Sequence, residues 1–201
     1  MVDPDLATQE MRRRIAFHEA GHAVIGHRKG LHFSRIQLEG DLSDPDKGAH
    51  RPGVAFDTYE HLVKAGSTLS PGEYHCANLD QLLAGRAAEK LFTGAVPPLP
   101  TVTDDGDLIP FPCDGSSRDW LLAVQAYREI FQEKHDQWKL PDLCIATVRV
   151  PFYKAFFGEY DRLCLLVCQP EYKTTIARLA EAIIVEIRLK GDEAVSIIER
   201  G

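Results

Sequence analysis

The sequence predicts a mainly helical fold with a small β element, arranged as a single domain over residues 1–201. Long segments with apolar residues at helical spacing fill most of the chain, and residues 171–190 are the clearest of them. Only two short segments have the alternation of strands. The length of 201 residues is sufficient for one full core, and 44% hydrophobic with 26% charged residues is typical of a globular domain.

The first half of the chain is predicted to contain one long helix and two strands. Residues 1–10 are expected to be a flexible tail, and residues 11–29 a helix with Gly30 as its C-cap. Residues 33–40 and 53–59 alternate as short strands do, and a loop rich in Asp, Gly and Pro separates them. The two strands could form a small sheet with an exposed edge.

The second half is predicted to be helical on either side of one loop. The predicted helices are residues 78–92, Ser116 to a point before Pro141, and residues 152–167, 171–190 and 192–199. The first of them is expected to start at a capping box with Gln81 and to stop near Gly94. Residues 95–113, rich in proline, are predicted to form an irregular surface loop. Trp120 and Tyr127 are assigned to the core.

Charge and cysteine usage argue against several functional classes. The net charge is −7, and no basic stripe with interleaved aromatic residues occurs, which argues against nucleic-acid binding. No apolar run approaches the roughly 18–20 residues of a membrane span, and the N-terminus lacks a signal-peptide core. The five cysteines lack C-x-x-C spacing, so we expect free thiols in a reducing compartment and a cytoplasmic location. For Cys164 and Cys168, burial is favoured over metal binding.

An H-E-x-x-H motif lies within the first predicted helix, with His18, Glu19 and His22 as its fixed residues. The two histidines are four residues apart, so both imidazoles project from one helix face and suit two ligands of one Zn²⁺. Glu19 lies about 100° around the helix from His18, where its carboxylate can reach a metal-activated water without binding the metal. An ordinary helix with two half-buried histidines is the alternative interpretation.

The motif lacks the third protein ligand that catalytic zinc sites usually have. Spacing alone leaves these candidates: Asp57, Glu60, His61, Glu73, His75, Glu89, Asp114, Asp119 and His135. Glu89 and Asp119 stand out because each lies on a predicted helix with small neighbours. From the residues alone, helix capping is the competing role for Asp119, and a surface position is the competing role for Glu89.

Three ordered motifs resemble the FtsH-type peptidases, the proteolytic domains of membrane-anchored AAA+ proteases. Residues 17–24 (F-H-E-A-G-H-A-V) resemble the zinc helix of that family, and residues 84–89 (A-G-R-A-A-E) resemble its G-R-A-A-E helix. Residues 115–120 (G-S-S-R-D-W) resemble its T-G-A-x-N-D-[LI] segment, whose Asp is the third zinc ligand. The closing helices, with an L-x-G-x-E pattern at residues 189–193, are also similar, so the resemblance covers most of the chain.

The resemblance implies a mainly helical, zincin-like peptidase domain. It implies that His18, His22 and Asp119 bind Zn²⁺ and that Glu19 is the catalytic base. Glu89 is interpreted as a neighbour of the site that holds a ligand imidazole in one tautomer.

The second predicted strand is similar to the substrate-flanking strand of the same family. Its residues Gly53, Val54, Ala55 and Phe56 are therefore assigned to substrate binding, and an extended peptide would add to the strand edge.

The chain also departs from the family pattern. Residues 114–116 (D-G-S) replace T-G-A, and Arg118 replaces the Asn that precedes the ligand, so Arg118 could pair with Asp119; we expect it to face solvent instead. The loop at residues 95–113 is longer than in the family. No P-loop pattern G-x-x-x-x-G-K-[ST] occurs, and the ATPase module and membrane anchor of the family are missing from the sequence.

The hypothesis from these observations is a zinc-dependent endopeptidase that cleaves peptides or unfolded segments. It would act without ATP alone, or would pair with a separate AAA+ ATPase, and folded proteins should resist it alone. A non-catalytic zinc- or peptide-binding module on the same fold is the alternative, and a helical scaffold with coincidental histidines is a third. The oligomeric state and the physiological substrate are left open.

Overall fold

The computed structural model of the protein describes residues 4–38, 52–95, 101–102, 108–109, 117–134 and 146–200. Over these residues the chain forms seven helices, a three-stranded antiparallel sheet and a separate two-stranded ladder, which confirms the predicted class. The helices are α1 (Pro4–Arg28), α2 (Tyr59–Lys64), α3 (Pro71–Thr93), α4 (Ser117–Lys134), α5 (Ala146–Val167), α6 (Pro170–Glu186) and α7 (Gly191–Glu199). The strands are β1 (Phe33–Gln37), β2 (Gly53–Phe56), β3 (Thr101–Val102), β4 (Leu108–Ile109) and β5 (Arg188–Lys190).

Helices α1 and α3 pack against each other in the centre of the fold, with α6 on α1 and with α4 and α5 on α3. Small side chains allow this close crossing. A Cβ added to Gly21 would lie 2.5 Å from the Cβ of Ala88 and 2.6 Å from the carbonyl oxygen of Ala84. Only a glycine at position 21 therefore allows this close approach, and the crossing brings the H-E-x-x-H face of α1 against α3.

The start of α1 corrects one prediction. The helix begins at Pro4, so the flexible tail expected over residues 1–10 is wrong for residues 4–10; residues 1–3 lie outside the described chain. Proline is favoured in the first turn of a helix, where its missing N–H has no partner to lose. Thr8, Gln9 and Glu10, which follow the first turn, are exposed. The start of the helix therefore lacks the apolar periodicity from which helices were predicted. Gly30 follows the helix with a φ of 81°, as its predicted C-cap role requires.

The three-stranded sheet has the order β2-β1-β5, and all its pairs are antiparallel. Strand β5 lies in a segment predicted to be helical to residue 190, and that prediction is wrong beyond α6. The helix ends at Glu186, and the capping residue Ile187 has a φ of 60°, which is rare for a β-branched residue. The carbonyl of Ile187 accepts a hydrogen bond from the N–H of Leu38, and Gln37 pairs with Arg188. Pairing with β1 thus overrides the local helical pattern.

Helix α3 begins seven residues earlier than residue 78, where it was predicted to begin. Its capping box is formed by Ser70 and Glu73, with Pro71 in the first turn, and not by the segment around Gln81. The weak apolar periodicity of the first two turns explains the error. The helix ends as predicted at Gly94, which adopts a φ of 71°. The predicted second strand is confirmed as β2 but ends at residue 56, and the short helix α2 was not predicted.

The remaining predictions have mixed outcomes. Trp120 and Tyr127 are buried, as predicted, and contact aromatic residues of α5. Within residues 95–113, β3 and β4 pair with each other, so the prediction of a fully irregular loop is wrong. The rest of that loop lies mostly outside the described chain. Cys164 is buried and Cys168 is exposed. Among the described helices, none is both long enough and apolar enough to cross a bilayer.

Candidate metal centre

Two helices bring together three side chains with metal-ligand chemistry. His18 and His22 come from the middle of α1, and Asp119 comes from the first turn of α4. The Nε2 atom of His18 lies 2.9 Å from the Nε2 atom of His22 and 3.1 Å from Oδ2 of Asp119. The third distance, from Nε2 of His22 to the same oxygen, is 3.5 Å. In the part of the chain that the structure describes, this is the group that could hold a metal ion.

The outer nitrogen of each imidazole fixes its tautomer. The Nδ1–H group of His18 donates to Oε1 of Glu89 over 2.9 Å, and the Nδ1–H group of His22 donates to the carbonyl oxygen of Gln81 over 2.6 Å. A carbonyl can only accept, so a neutral His22 must carry its proton on Nδ1. The Nε2 lone pairs of both neutral imidazoles then converge on the Asp119 carboxylate with no hydrogen between them. This arrangement of donors fits a cation at their centre.

Glu89 is held from three sides. Besides His18, it accepts hydrogen bonds from Nε of Arg14 over 2.6 Å and from the guanidinium of Arg86 over 3.2 Å and 3.3 Å. Burial alone would raise the pKa of Glu89, but the hydrogen bond from His18 and the charges of His18 and Arg86 lower it. The carboxylate is therefore ionised and fixed in place behind the His18 ring. Its assignment as the residue that orients a ligand imidazole stays a prediction.

The charged groups around His18 and Asp119 shift one another's pKa values. Burial would lower the pKa of His18, but hydrogen bonds with Asp119 and Glu89 and the charge of Glu19 raise it to about 10. Burial would raise the pKa of Asp119, yet its contacts with His18 and His22 hold it far below the usual range. Without a metal, His18 is thus protonated at neutral pH, and its imidazolium is the cation of the site.

Glu19 lies beside this group but is not one of its members. It is only 5% exposed, and it faces the charges of both histidines and of Asp119. Burial raises the pKa of Glu19, against the opposing effect of the two histidines. Burial thus shifts the pKa of Glu19 in the direction that favours uptake of a proton by its carboxylate.

A cleft of about 560 Å³ opens onto the centre. It is lined by Glu19 and His22 of α1, Gly53, Val54 and Phe56 of β2, Tyr74, His75, Asn78, Gln81 and Leu82 of α3, and Asp119, Leu122, Gln125, Ala126 and Glu129 of α4. The cleft thus lies between α3 and α4, with the metal-ligand group at one place along it.

Strand β2 lies at the rim of this cleft and at the edge of the sheet. Its partner β1 is on one side, and no described strand pairs with the other side. Of the four residues assigned to substrate binding, Gly53, Val54 and Phe56 line the cleft, whereas Ala55 does not. The assignment of this strand to substrate binding stays a prediction.

The other candidates for a third ligand are not part of the described metal-ligand group. Asp57, Glu60, His61 and Glu73 lie elsewhere, and His75 lines the cleft. Glu89 contacts His18 at Nδ1, the nitrogen that faces away from the metal-ligand group. Asp114 and His135 lie outside the described residues, as does the side chain of Arg118.

Sequence reasoning missed three groups that support the centre. Arg86 lies three residues before Glu89 on α3, a spacing at which oppositely charged side chains meet, so the sequence did contain a signal for that pair. Arg14 lies 75 residues from Glu89, and its contact depends on the crossing of α1 with α3. The carbonyl of Gln81 is a backbone group and has no signature in the sequence.

Comparison with models of known protein families found no match, and a search of curated proteins found no significant relative. The site is therefore interpreted from its own chemistry and from the motif resemblance.

Proposed function

We propose that this protein is a zinc-dependent endopeptidase with a zincin-like fold, related to the FtsH-type peptidases. One observation carries the proposal. His18, His22 and Asp119 converge within 4.8 Å of one another, and the buried carboxylate of Glu19 lies beside them in the same cleft. The H-E-x-x-H spacing supplies two ligands and a base from a single helix, and α4 supplies the third ligand.

The donor set supports zinc as the metal. Zinc in proteins prefers imidazole nitrogen and carboxylate oxygen ligands at about 2.0–2.2 Å, and tetrahedral ligands at that length lie roughly 3.3–3.5 Å apart. The three distances in the protein are 2.9, 3.1 and 3.5 Å, so small side-chain movements would complete such a site. Three protein ligands leave a fourth position open, which is typical of catalytic sites and not of structural ones.

In the proposed hydrolysis, the metal and the side chains of the protein would have separate roles. When bound, Zn²⁺ supplies a Lewis acid that activates water and polarises the peptide carbonyl. The Glu19 carboxylate accepts the proton of the attacking water and later donates it to the leaving amine nitrogen. Glu89 keeps the proton of His18 on Nδ1, so Nε2 remains free for the metal.

The substrate would be an extended peptide. Strand β2 is an edge strand of the described sheet and lies beside the centre, and a peptide added as a further strand would place its backbone along the cleft. Such binding needs an unfolded segment. We therefore propose peptides and unfolded proteins as substrates of the protein alone, and a separate AAA+ ATPase as the partner for folded ones.

The experiment that tests this function compares the wild type with Glu19→Gln. The wild type, loaded with zinc, should cleave unstructured peptides and lose that activity in a chelator. Glu19→Gln should keep one zinc per chain and lose cleavage, while Glu171→Gln, which removes an exposed carboxylate at the start of α6, should behave as the wild type. Zinc-loaded wild type that binds peptides without cleaving any would instead support the non-catalytic module.

A further inference from the structure

Helix α4 presents one stripe of side chains along the cleft. Asp119, Leu122, Ala126 and Glu129 recur at intervals of three or four residues, so they lie on the same helix face, and all of them line the cleft. Glu129 is ten residues after Asp119, which corresponds to about 15 Å along the helix axis at 1.5 Å per residue. The stripe therefore connects the metal-ligand group with a carboxylate at a distant point of the same cleft.

Glu129 is the charged residue of the described cleft lining that lies outside the metal-ligand group and Glu19. Among the described lining residues the formal charges, with neutral histidines, are those of Glu19, Asp119 and Glu129, and none of these residues is a lysine or an arginine. Asp119 belongs to the metal-ligand group and Glu19 lies beside it, so a dication bound there would offset both charges. Glu129 is exposed, and no ion pair joins it to a cation within the described part of the chain. A carboxylate in this position favours a cationic group on whatever occupies the cleft.

We propose that Glu129 is a specificity-determining residue that selects a lysine or arginine in the substrate, at a distance from the bond that is cut. This inference rests on the proposed peptidase function. An extended chain advances about 3.3 Å per residue, so about 15 Å corresponds to four or five residues. The basic side chain would therefore lie four or five positions from the scissile bond. An exposed ion pair of this kind changes affinity by roughly threefold to fivefold.

A binding experiment tests the selection without depending on turnover. Two pools of fluorescent ten-residue peptides are used, with one lysine per peptide in the first and glutamate in its place in the second, and neutral residues elsewhere. Zinc-loaded Glu19→Gln protein should bind the lysine pool about threefold to fivefold more tightly, measured by fluorescence anisotropy. Adding Glu129→Gln should remove the difference, and adding Glu129→Lys should reverse it. Glu171→Lys, which makes the same change in net charge away from the cleft, should preserve it.

Cleavage mapping then tests the position of the basic residue. In a digest of random peptides by the wild type, lysine and arginine should be enriched four or five residues from the cut bond, and this enrichment should disappear with Glu129→Lys. Equal binding of the two pools, or an enrichment that survives Glu129→Lys, overturns the inference. Failure to cut any peptide, with the binding difference intact, contradicts the proposed function and leaves the role of Glu129 in binding supported.

Discussion

The Nε2 atoms of His18 and His22 lie 2.9 Å apart, although the Nδ1 atoms of both rings donate to other acceptors. Two neutral imidazoles in this arrangement direct their lone pairs at each other and at Asp119. A cation between them removes that repulsion. Either a proton or a metal ion can be this cation, so the two compete for the same place. This competition links the geometry of the centre to measurable binding properties.

Removal of the third ligand should abolish tight zinc binding. We expect about one zinc per chain in the wild type, and a loss of affinity on the order of 100-fold or more in Asp119→Ala, because two imidazoles alone leave the site incomplete. Glu89→Gln keeps all three ligands and should lose roughly 10–100-fold, as is typical for partners of ligand histidines. Metal analysis and competition with a chromophoric chelator would measure both. Wild-type affinity in Asp119→Ala would show that another group completes the site.

Gly85 should be essential for the position of His22. A Cβ at residue 85 would overlap Nε2 of His22, so Gly85→Ala must displace the ring or the helix. Overpacking of this kind typically costs about 1–3 kcal/mol of the free energy of unfolding, and zinc affinity should fall with it. The matched control is Gly158→Ala on α5, where no neighbour lies within 4 Å. That change should stabilise the protein by about 0.5–1 kcal/mol through helix propensity. Equal effects of the two substitutions in urea denaturation would refute this role of Gly85.

Zinc binding should release protons and strengthen as the pH rises. Hydrogen bonds with Asp119 and Glu89 raise the pKa of His18 to about 10 in the metal-free protein, against the effect of burial, and only the neutral ring can bind the metal. Protonated His18 therefore competes with zinc at every pH below about 10, and the apparent affinity should increase from pH 6 to pH 9. Calorimetry in two buffers of different ionisation enthalpy would count the protons released. Binding heats that are independent of the buffer at pH 7 would contradict a protonated His18.

Local spacing in the sequence was sufficient to place the two histidines of the metal-ligand group on one helix face. The i, i+4 spacing of His18 and His22 survives any error in helix boundaries, because a helix of any length through residue 22 places both rings on one face. The pairing of Asp119 with this face depended on the motif resemblance, since no spacing rule connects positions 101 residues apart. The contact of Arg14 with Glu89 escaped prediction for the same reason, because it exists only where α1 crosses α3.

The errors in the fold arise where tertiary pairing competes with local pattern. Residues 188–190 were predicted to extend the helix but pair with β1, and the strained φ of Ile187 permits the change of direction. Helix α3 was predicted too short because its first turns are half exposed and weakly periodic. In both places the local sequence pattern did not show which other elements of the fold would pair with or pack against the segment.

Asp80 should stabilise the segment of helix α3 that contacts His22. Its carboxylate is 4% exposed and contacts Lys29 over 2.9 Å and also Arg162, so it connects α3 with the end of α1 and with α5. The next residue, Gln81, provides the carbonyl that holds His22. Asp80→Ala should therefore lower the free energy of unfolding by about 2 kcal/mol and weaken zinc binding.

Glu159→Ala provides the comparison for Asp80→Ala, because Glu159 pairs with the same arginine over 2.8 Å but is far more exposed. Its loss should cost at most about 0.5–1 kcal/mol, since exposed ion pairs contribute little, and zinc affinity should remain unchanged. Urea denaturation and chelator competition on both variants measure the two effects. Asp80 differs from Glu159 in its burial and in its second ion pair, with Lys29. If Glu159→Ala costs as much stability as Asp80→Ala, neither of these two features strengthens the contact of Asp80.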